Sequence, residues 1–238
     1  MQIQLLRALL KSTMKGPIEE KRVSEEARLP IKCTHATLKE LAKTELITLQ
    51  NSIIELTSEQ RVLLAIKAIE LGLDYEEACR YLGWREFENF TVLALEASGF
   101  ATRKHLRFKC LDKWYEIDVL GMRRPLILAV DCKHWKHRWR ESAMIKIVNT
   151  QLHRVEALAT ILEKLKENLG IKNWRRAELL PVILTLTEAP FRLYREVPVV
   201  PIFRFKSFIY ELPEFIRSIP LWHKDCLLGD GEDDYVEH

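Results

Sequence analysis

The chain has no apolar stretch approaching the roughly 18 residues that a membrane-spanning helix needs, so no transmembrane helix is expected. Its start, MQIQLLRALLKSTMKG, has a short apolar run but no basic leader and no small-residue cleavage site. It reads as a helix and not as a signal peptide. No CxxC pair occurs. Cys33, Cys79, Cys110, Cys132 and Cys226 are odd in number and scattered, which argues against a disulfide framework and a zinc site, and for reduced thiols in a cytoplasmic protein. Internal repeats and low-complexity tracts are also missing. Gln and Asn are scarce beside Lys, Arg and Glu, a composition of the thermophilic kind. What remains is 238 residues, 47% hydrophobic and 30% charged. That is a soluble globular chain of one large or two modest domains.

The net charge of +3 is unevenly spread. Residues 1–84 hold 12 bases and 12 acids, residues 229–238 (GDGEDDYVEH) hold five acids and no base, and residues 85–228 hold 25 bases against 17 acids. The excess of +8 in the long segment is what a phosphate-backbone partner requires, although a solvated basic surface has the same charge. The acidic tail is expected to be disordered.

Residues 1–57 read as helices over 2–13, 18–28 and 34–45, then a hairpin in which 47–49 faces 53–56 across Gln50-Asn51-Ser52. Three helices followed by a hairpin is the order of a winged-helix module. In the third helix Leu38, Leu41, Ala42 and Leu46 form an apolar stripe. His35, Lys39 and Lys43 project from the other side, where a recognition helix presents side chains to a major groove. A small helical bundle for dimerisation would show the same stripe. Helices over 58–72 and 74–84, with Ser58 and Asp74 as caps and Gly72 and Gly83 as stops, form a connector over 58–84. From residue 85 the pattern is a helix at 86–98, strands at 101–109, 113–121 and 126–133, and a helix at 142–169. Strands at 180–187 and 197–203 and a helix at 205–218 follow. This predicts an α/β fold with a mixed sheet flanked by helices.

The chemistry concentrates in two adjacent apolar runs, YEIDVLG (115–121) and LILAVDCKHW (126–135). Side chains alternate along a strand, so Asp131 and Lys133 share a face and Cys132 takes the other, as a core cysteine. If Met122–Pro125 turns the first run back on the second, Asp118 approaches Asp131. Two carboxylates and an ammonium at the end of an apolar sheet are costly to bury unless they bind something. Paired carboxylates suit a hard cation such as Mg²⁺. The lysine suits a phosphate or an attacking water.

These residues resemble the PD-(D/E)XK nuclease superfamily, in particular its Mrr-like restriction-endonuclease and archaeal Holliday-junction-resolvase branches. The helix REFENFTVLALEASGF (85–100), with Phe87-Glu88 at its start and Gly99-Phe100 at its end, is similar to the Mrr-type helix. Asp118 matches the motif aspartate, Asp131-Cys132-Lys133 matches D-x-K, and Lys133-His134-Trp135 is similar to the Mrr-type ending. Ile117 stands where the family name has proline. The resemblance covers roughly Arg85 to Phe208 and implies a restriction-endonuclease-like nuclease domain over 85–228.

It further implies a Mg²⁺-dependent DNA endonuclease, with Mn²⁺ as a substitute. Glu88, Asp118, Asp131 and the main-chain carbonyl of Cys132 would be the metal ligands. Lys133 would position or activate the water. Glu86 and Glu96 are alternatives to Glu88, and Glu116 is a further acid near the strand edge. Gln151, on the long helix, takes the place of a glutamine that some branches hold near the site.

For DNA contact, the run after the active strand interleaves basic and aromatic residues: Lys136, Arg138 and Arg140 with Trp135 and Trp139. Arg103, Lys104, Arg107 and Lys109 on the preceding strand extend that surface. A double-strand break would call for a homodimer. The other reading from the residues is a winged-helix DNA-binding protein whose nuclease-like domain does not cut. An exonuclease or an RNA-directed enzyme is a third.

Overall fold

The structure is a computed structural model and describes residues 1–134, 140–218 and 221–229. The chain divides into two compact units, Met1–Phe90 and Thr91–His238. Among the described residues no helix is long and apolar enough to cross a membrane.

The first unit begins with α1 (Gln2–Ser12), which buries Leu5, Leu6, Leu9 and Leu10 on one helical stripe. A single 3-10 turn (Thr13–Lys15) leads to β1 (Ile18–Glu19), α2 (Glu20–Ala27) and α3 (Ile31–Lys43). Strands β2 (Thr48–Gln50) and β3 (Ile53–Glu55) follow, and the three strands form an antiparallel sheet in the order β1-β3-β2. The helix expected over 18–28 therefore starts two residues later. Ile18 and Glu19 pair with Ile54 and Ile53, and the Glu20 N–H donates to the Ser52 carbonyl at 2.9 Å. That pairing is long-range, so local periodicity does not reveal it. The β2–β3 loop is Asn51-Ser52, both at positive φ, 47° and 61°. Two such residues make the mirror-image turn whose twist suits a hairpin.

Helices α4 (Ser58–Glu70) and α5 (Tyr75–Arg80) belong to the same unit. The cap of α4 is Thr57, one residue before the expected Ser58, because Thr57 and Gln60 close a reciprocal capping box. Asp74 caps α5 as expected. A buried arginine joins these pieces. Arg61 Nε lies 2.9 Å from Glu86 Oε1, and the guanidinium donates to the Leu10 and Tyr81 carbonyls and to the Thr13 hydroxyl. Glu86 Oε2 in turn accepts from the Gly83 N–H at 2.6 Å, capping the first turn of α6 (Trp84–Glu96).

The second unit is built on β4 (Ala101–Cys110), β5 (Lys113–Arg123), β6 (Leu126–Lys133), α7 (Glu141–Leu165) and β7 (Arg176–Thr185). It continues through β8 (Leu193–Tyr194), β9 (Val197–Pro201), α8 (Ile202–Ser218) and β10 (Lys224–Leu227). The strands form one seven-stranded mixed sheet in the order β4-β5-β6-β7-β9-β8, with β10 against β7. The α/β class, with helices flanking a mixed sheet after a helical N-terminal region, is the one expected. Strands β8 and β10 are additions. They lie at the edge, and β10 shares the outer edge of β7 with β9, each pairing with one half of that ten-residue strand.

β4, β5 and β6 form an antiparallel meander, and α7 carries the chain from β6 to the parallel β7. Leu126 to Cys132 are all buried, as a central strand covered on both faces must be. Leu120, Ile127 and Ala129 meet Val155, Leu158 and Leu162 of α7 in one core.

The Gly99-Phe100 ending has a structural explanation. Gly99, at φ 80°, ends α6: its N–H reaches the Glu96 carbonyl, and the Phe100 N–H reaches Leu95. That is a Schellman cap. Phe100 then packs on β5, where a Cβ on Gly121 would come within 3.1 Å of Leu95 and 3.4 Å of Phe100. The Arg123 guanidinium covers the ring of Phe100, 4.4 Å from its centre.

Two stability measurements follow. Arg61→Ala leaves the part-buried Glu86, the Leu10 and Tyr81 carbonyls and the Thr13 hydroxyl without this partner. It should cost about 3–5 kcal/mol in denaturant unfolding; a loss below about 1 kcal/mol would contradict the buried knot. Gly121→Ala forces overpacking between β5 and the end of α6 and should cost about 1–3 kcal/mol by the same measurement.

Candidate functional site

The register of the β5–β6 ladder decides the site. Val119 pairs with Val130, so the next step outward sets Asp118 opposite Asp131, just past the last pair of the ladder. On the other side of β5, Lys104 pairs with Val119 and Leu106 with Ile117. His105 falls across from Asp118 and is left-handed, at φ 49°, a strained conformation in which His is among the commoner non-glycine residues.

Asp118 is 8% exposed and Asp131 1%. The Cys132 N–H donates to Asp118 Oδ2 at 2.8 Å. Asp131 is held by two cations. Arg154 Nη1 lies 2.6 Å from Oδ1, and Lys133 Nζ lies 3.1 Å from Oδ1 and 2.8 Å from Oδ2. The contact to Oδ2 lacks hydrogen-bond geometry, so that buried oxygen has charge compensation but no directed donor. Gln151, wholly buried, donates Nε2 to the Ala129 carbonyl at 2.8 Å and leaves Oε1 without a hydrogen-bond partner. Cys132 points the other way, its sulfur 3.6 Å from the Thr91 hydroxyl, in keeping with a core cysteine.

Burial pushes the Asp118 carboxyl above its ordinary value of 3.8, and the charge of Asp131 adds to the rise. The Cys132 N–H and the charges of Lys133 and Arg154 oppose it. The two acids and two cations sum to zero formal charge, yet the net environment of Asp118 still favours its proton. Oxygen donors in such a setting suit a hard divalent cation, which would favour the ionised form.

Asp118, Asp131, Lys133, Gln151 and the Cys132 main chain are thus together in the second unit. Glu88 is buried on α6 and belongs to the first unit. Glu86 is taken up by Arg61 and the α6 cap, and Glu96 accepts from the Thr102 hydroxyl. Among the described residues no group of three or more His, Cys, Asp and Glu side chains could hold a metal ion. Glu116 is bonded to Arg107 at 2.7 Å and to His105 at 3.2 Å, and the Arg107 hydrogen bond holds its carboxyl below the usual range.

The residues expected to contact DNA differ in their situations. Arg103, Lys104, Arg107 and Lys109 are all exposed on β4, but Arg107 is tied to Glu116 and Lys109 to Asp112. Arg140 is exposed at the start of α7. Lys136 and Arg138, with Trp135 and Trp139, lie outside the described residues. In the first unit Lys39 and Lys43 are exposed, with Lys43 paired to Glu40. His35 is half-exposed and bonded to the buried carboxylate of Glu20 at 2.9 Å.

Sequence reasoning missed Arg154. The available signal was its place three residues after Gln151, on the same side of a helix. Arg154 and Thr150 line a cleft of about 260 Å³ with Asp131, Lys133 and Lys146. The same two residues border a larger cavity of about 720 Å³ that reaches Arg107 and Trp114.

No protein-family model matches the chain, and no curated protein matches it. Among solved structures it is similar to the protein of unknown function AF1548, at 20% identity and a TM-score of 0.27, over 41% of this chain and 44% of that one. It is also similar to protein VC1899 from Vibrio cholerae, at 11% identity and a TM-score of 0.38, over 90% of this chain and 50% of that one. The chain spans half or less of the length of these proteins. At such TM-scores neither likeness bears on activity.

The Asp118 environment predicts a pH-dependent stability. An acid whose value is raised by folding binds its proton more tightly in the native state than in the unfolded chain. Its ionisation therefore costs stability, and the cost grows as pH rises from 3.8 through the raised value. Asp118→Asn removes that cost, and its amide oxygen can still accept the Cys132 N–H. In EDTA at pH 7 it should raise the melting temperature, with about 1 kcal/mol corresponding to about 2–4 °C in a chain of this size. The gain should vanish below pH 3.8. Thermal unfolding across this range checks it; an equal difference at both ends would remove the charge as the cause.

Proposed function

We propose that the second unit is a Mg²⁺-dependent DNA endonuclease module, with Mn²⁺ as a substitute, and that it hydrolyses phosphodiester bonds. The observation that carries this reading is the pair of buried carboxylates, Asp118 and Asp131, opposite each other at the end of the β5–β6 ladder with Lys133 beside them. The resemblance to the PD-(D/E)XK superfamily assigns the same residues. Asp118, Asp131 and the Cys132 carbonyl would hold the metal. When bound, the ion supplies Lewis acidity and a water of lowered pKa.

The chain's own groups do the rest. Lys133, already in the cleft, would orient the attacking water and stabilise charge on the phosphate. Arg154, released from Asp131 when another cation takes its place, would be available to a phosphate oxygen as a planar two-point donor. Gln151, bonded to the Ala129 carbonyl, would fix the strand that carries Asp131. The excess positive charge over residues 85–228 supports a polyanionic substrate.

The first unit supports a winged-helix reading: three helices with the sheet order β1-β3-β2, and α3 with Lys39 and Lys43 exposed. It would anchor the enzyme on DNA, and a homodimer would set two sites on the two strands. One observation favours a second reading, DNA binding without cleavage. Asp131 already has two cationic partners, as a structural ion pair would.

Plasmid DNA separates the two. The purified chain should nick it with Mg²⁺ or Mn²⁺ and not with EDTA. Asp118→Asn and Asp131→Asn should each lower the rate by about 10³-fold, the equivalent of a few kcal/mol of lost transition-state stabilisation. DNA binding should be kept. Lys133→Ala should lower the rate about 10²-fold with metal affinity little changed in calorimetric titration. Retained DNA binding with no metal-dependent nicking by the parent chain would leave the second reading standing.

A further inference from the structure

The cavity beside the carboxylate pair has a composition that a plain duplex would not need. It measures about 720 Å³, within the range of sites that enclose a small molecule. Its walls combine basic side chains with aromatic faces: Arg107, Lys113 and Arg154 with Trp114 and Tyr115, and Glu116, paired to Arg107, is the acid among them. Trp114 is 69% exposed although it is among the largest apolar side chains in the unit. It stands near the tip of the β4–β5 hairpin, one residue past Lys113. Tyr115 is rigidly backed: its ring stacks on the buried ring of Phe108, centres 5.6 Å apart, and Lys113 Nζ lies 5.3 Å from the Tyr115 ring centre.

The cavity is continuous with the catalytic cleft in its lining, since Thr150 and Arg154 border both. Along β5, Trp114 is four residues from Asp118, or about 13 Å at the rise of a strand. That spans a small number of nucleotides of an extended strand. A duplex offers phosphates to cations but keeps its base faces stacked inside. An exposed indole beside phosphate-binding cations is useful to a base that has left the stack.

We infer that this cavity binds an unpaired nucleotide next to the phosphate to be cut, so that the preferred substrate is DNA carrying a single-stranded segment. The inference rests on the nuclease reading for the word "cut", but the binding does not. Lys113 holds the backbone, Arg107 and Arg154 add positive charge from within their ion pairs with Glu116 and Asp131, and Trp114 stacks the base.

Binding in EDTA tests it without catalysis. Fluorescence anisotropy of the full chain is compared on a blunt duplex, the same duplex with a short single-stranded overhang, and that overhang with abasic residues in place of its bases. The overhang should bind about 10-fold or more tightly than the blunt end. Trp114→Ala should abolish the difference and Trp114→Phe should keep most of it. The abasic overhang should bind the parent chain as weakly as the blunt duplex, a result that no folding defect can mimic.

Equal binding of blunt and overhanging duplexes by the parent, or an abasic overhang bound as well as the intact one, overturns the inference. An RNA overhang bound better than the DNA one overturns its assignment to DNA. The two readings fail separately. Overhang preference without metal-dependent cleavage removes the nuclease and keeps the cavity, while cleavage indifferent to the overhang and to Trp114 removes the cavity and keeps the nuclease.

Discussion

Asp131 is buried near the end of a strand whose preceding residues, Leu126 to Val130, are all apolar, and that burial constrains the second unit. An ionised carboxylate in such a place needs compensation worth several kcal/mol. Two side chains from different elements supply it: Lys133 from the same strand and Arg154 from α7. The requirement sets the position of α7 over β6, and the Gln151 bond to the Ala129 carbonyl secures it one turn earlier. Below these polar contacts the apolar face of α7 closes over Leu120, Ile127 and Ala129. The same helix therefore covers the core and carries half of the charge balance.

Asp118 is differently placed. It accepts one main-chain hydrogen bond and shares the cations only at a distance, so the proximity of Asp131 raises its carboxyl further. The combination is one fully compensated acid beside one under-compensated acid. On the proposed reading, the second acid is where an entering cation would supply the compensation that the protein's own groups do not.

The glycine and arginine devices elsewhere are of a different kind. Gly99, Phe100 and Gly121 lock the end of α6 to β5, and Arg61 with Glu86 ties the beginning of α6 to α1, α4 and α5. The Phe87 and Gly99-Phe100 positions that helped the helix to be recognised are therefore core and cap residues. Phe87 is buried, and Gly99 and Phe100 close the end of the helix.

The sequence alone determined the order of the long helices and strands of the second unit, and a hairpin that brings Asp118 close to Asp131, but not the short strands β1, β8 and β10. These depend on local periodicity and on a hairpin whose register follows from a short turn. It likewise determined that Lys133 shares a face with Asp131, because alternation along a strand is fixed by covalent geometry. Only the tertiary structure decided the partners that arrive from afar. Arg154 reaches Asp131 across 23 residues, Arg61 reaches Leu10 across 51, and Ile18 pairs with Ile54. The cavity at Trp114 exists because α7 crosses the β4–β5 hairpin. Such contacts depend on how whole elements pack, and packing is set by the summed burial of many side chains rather than by any spacing along the chain.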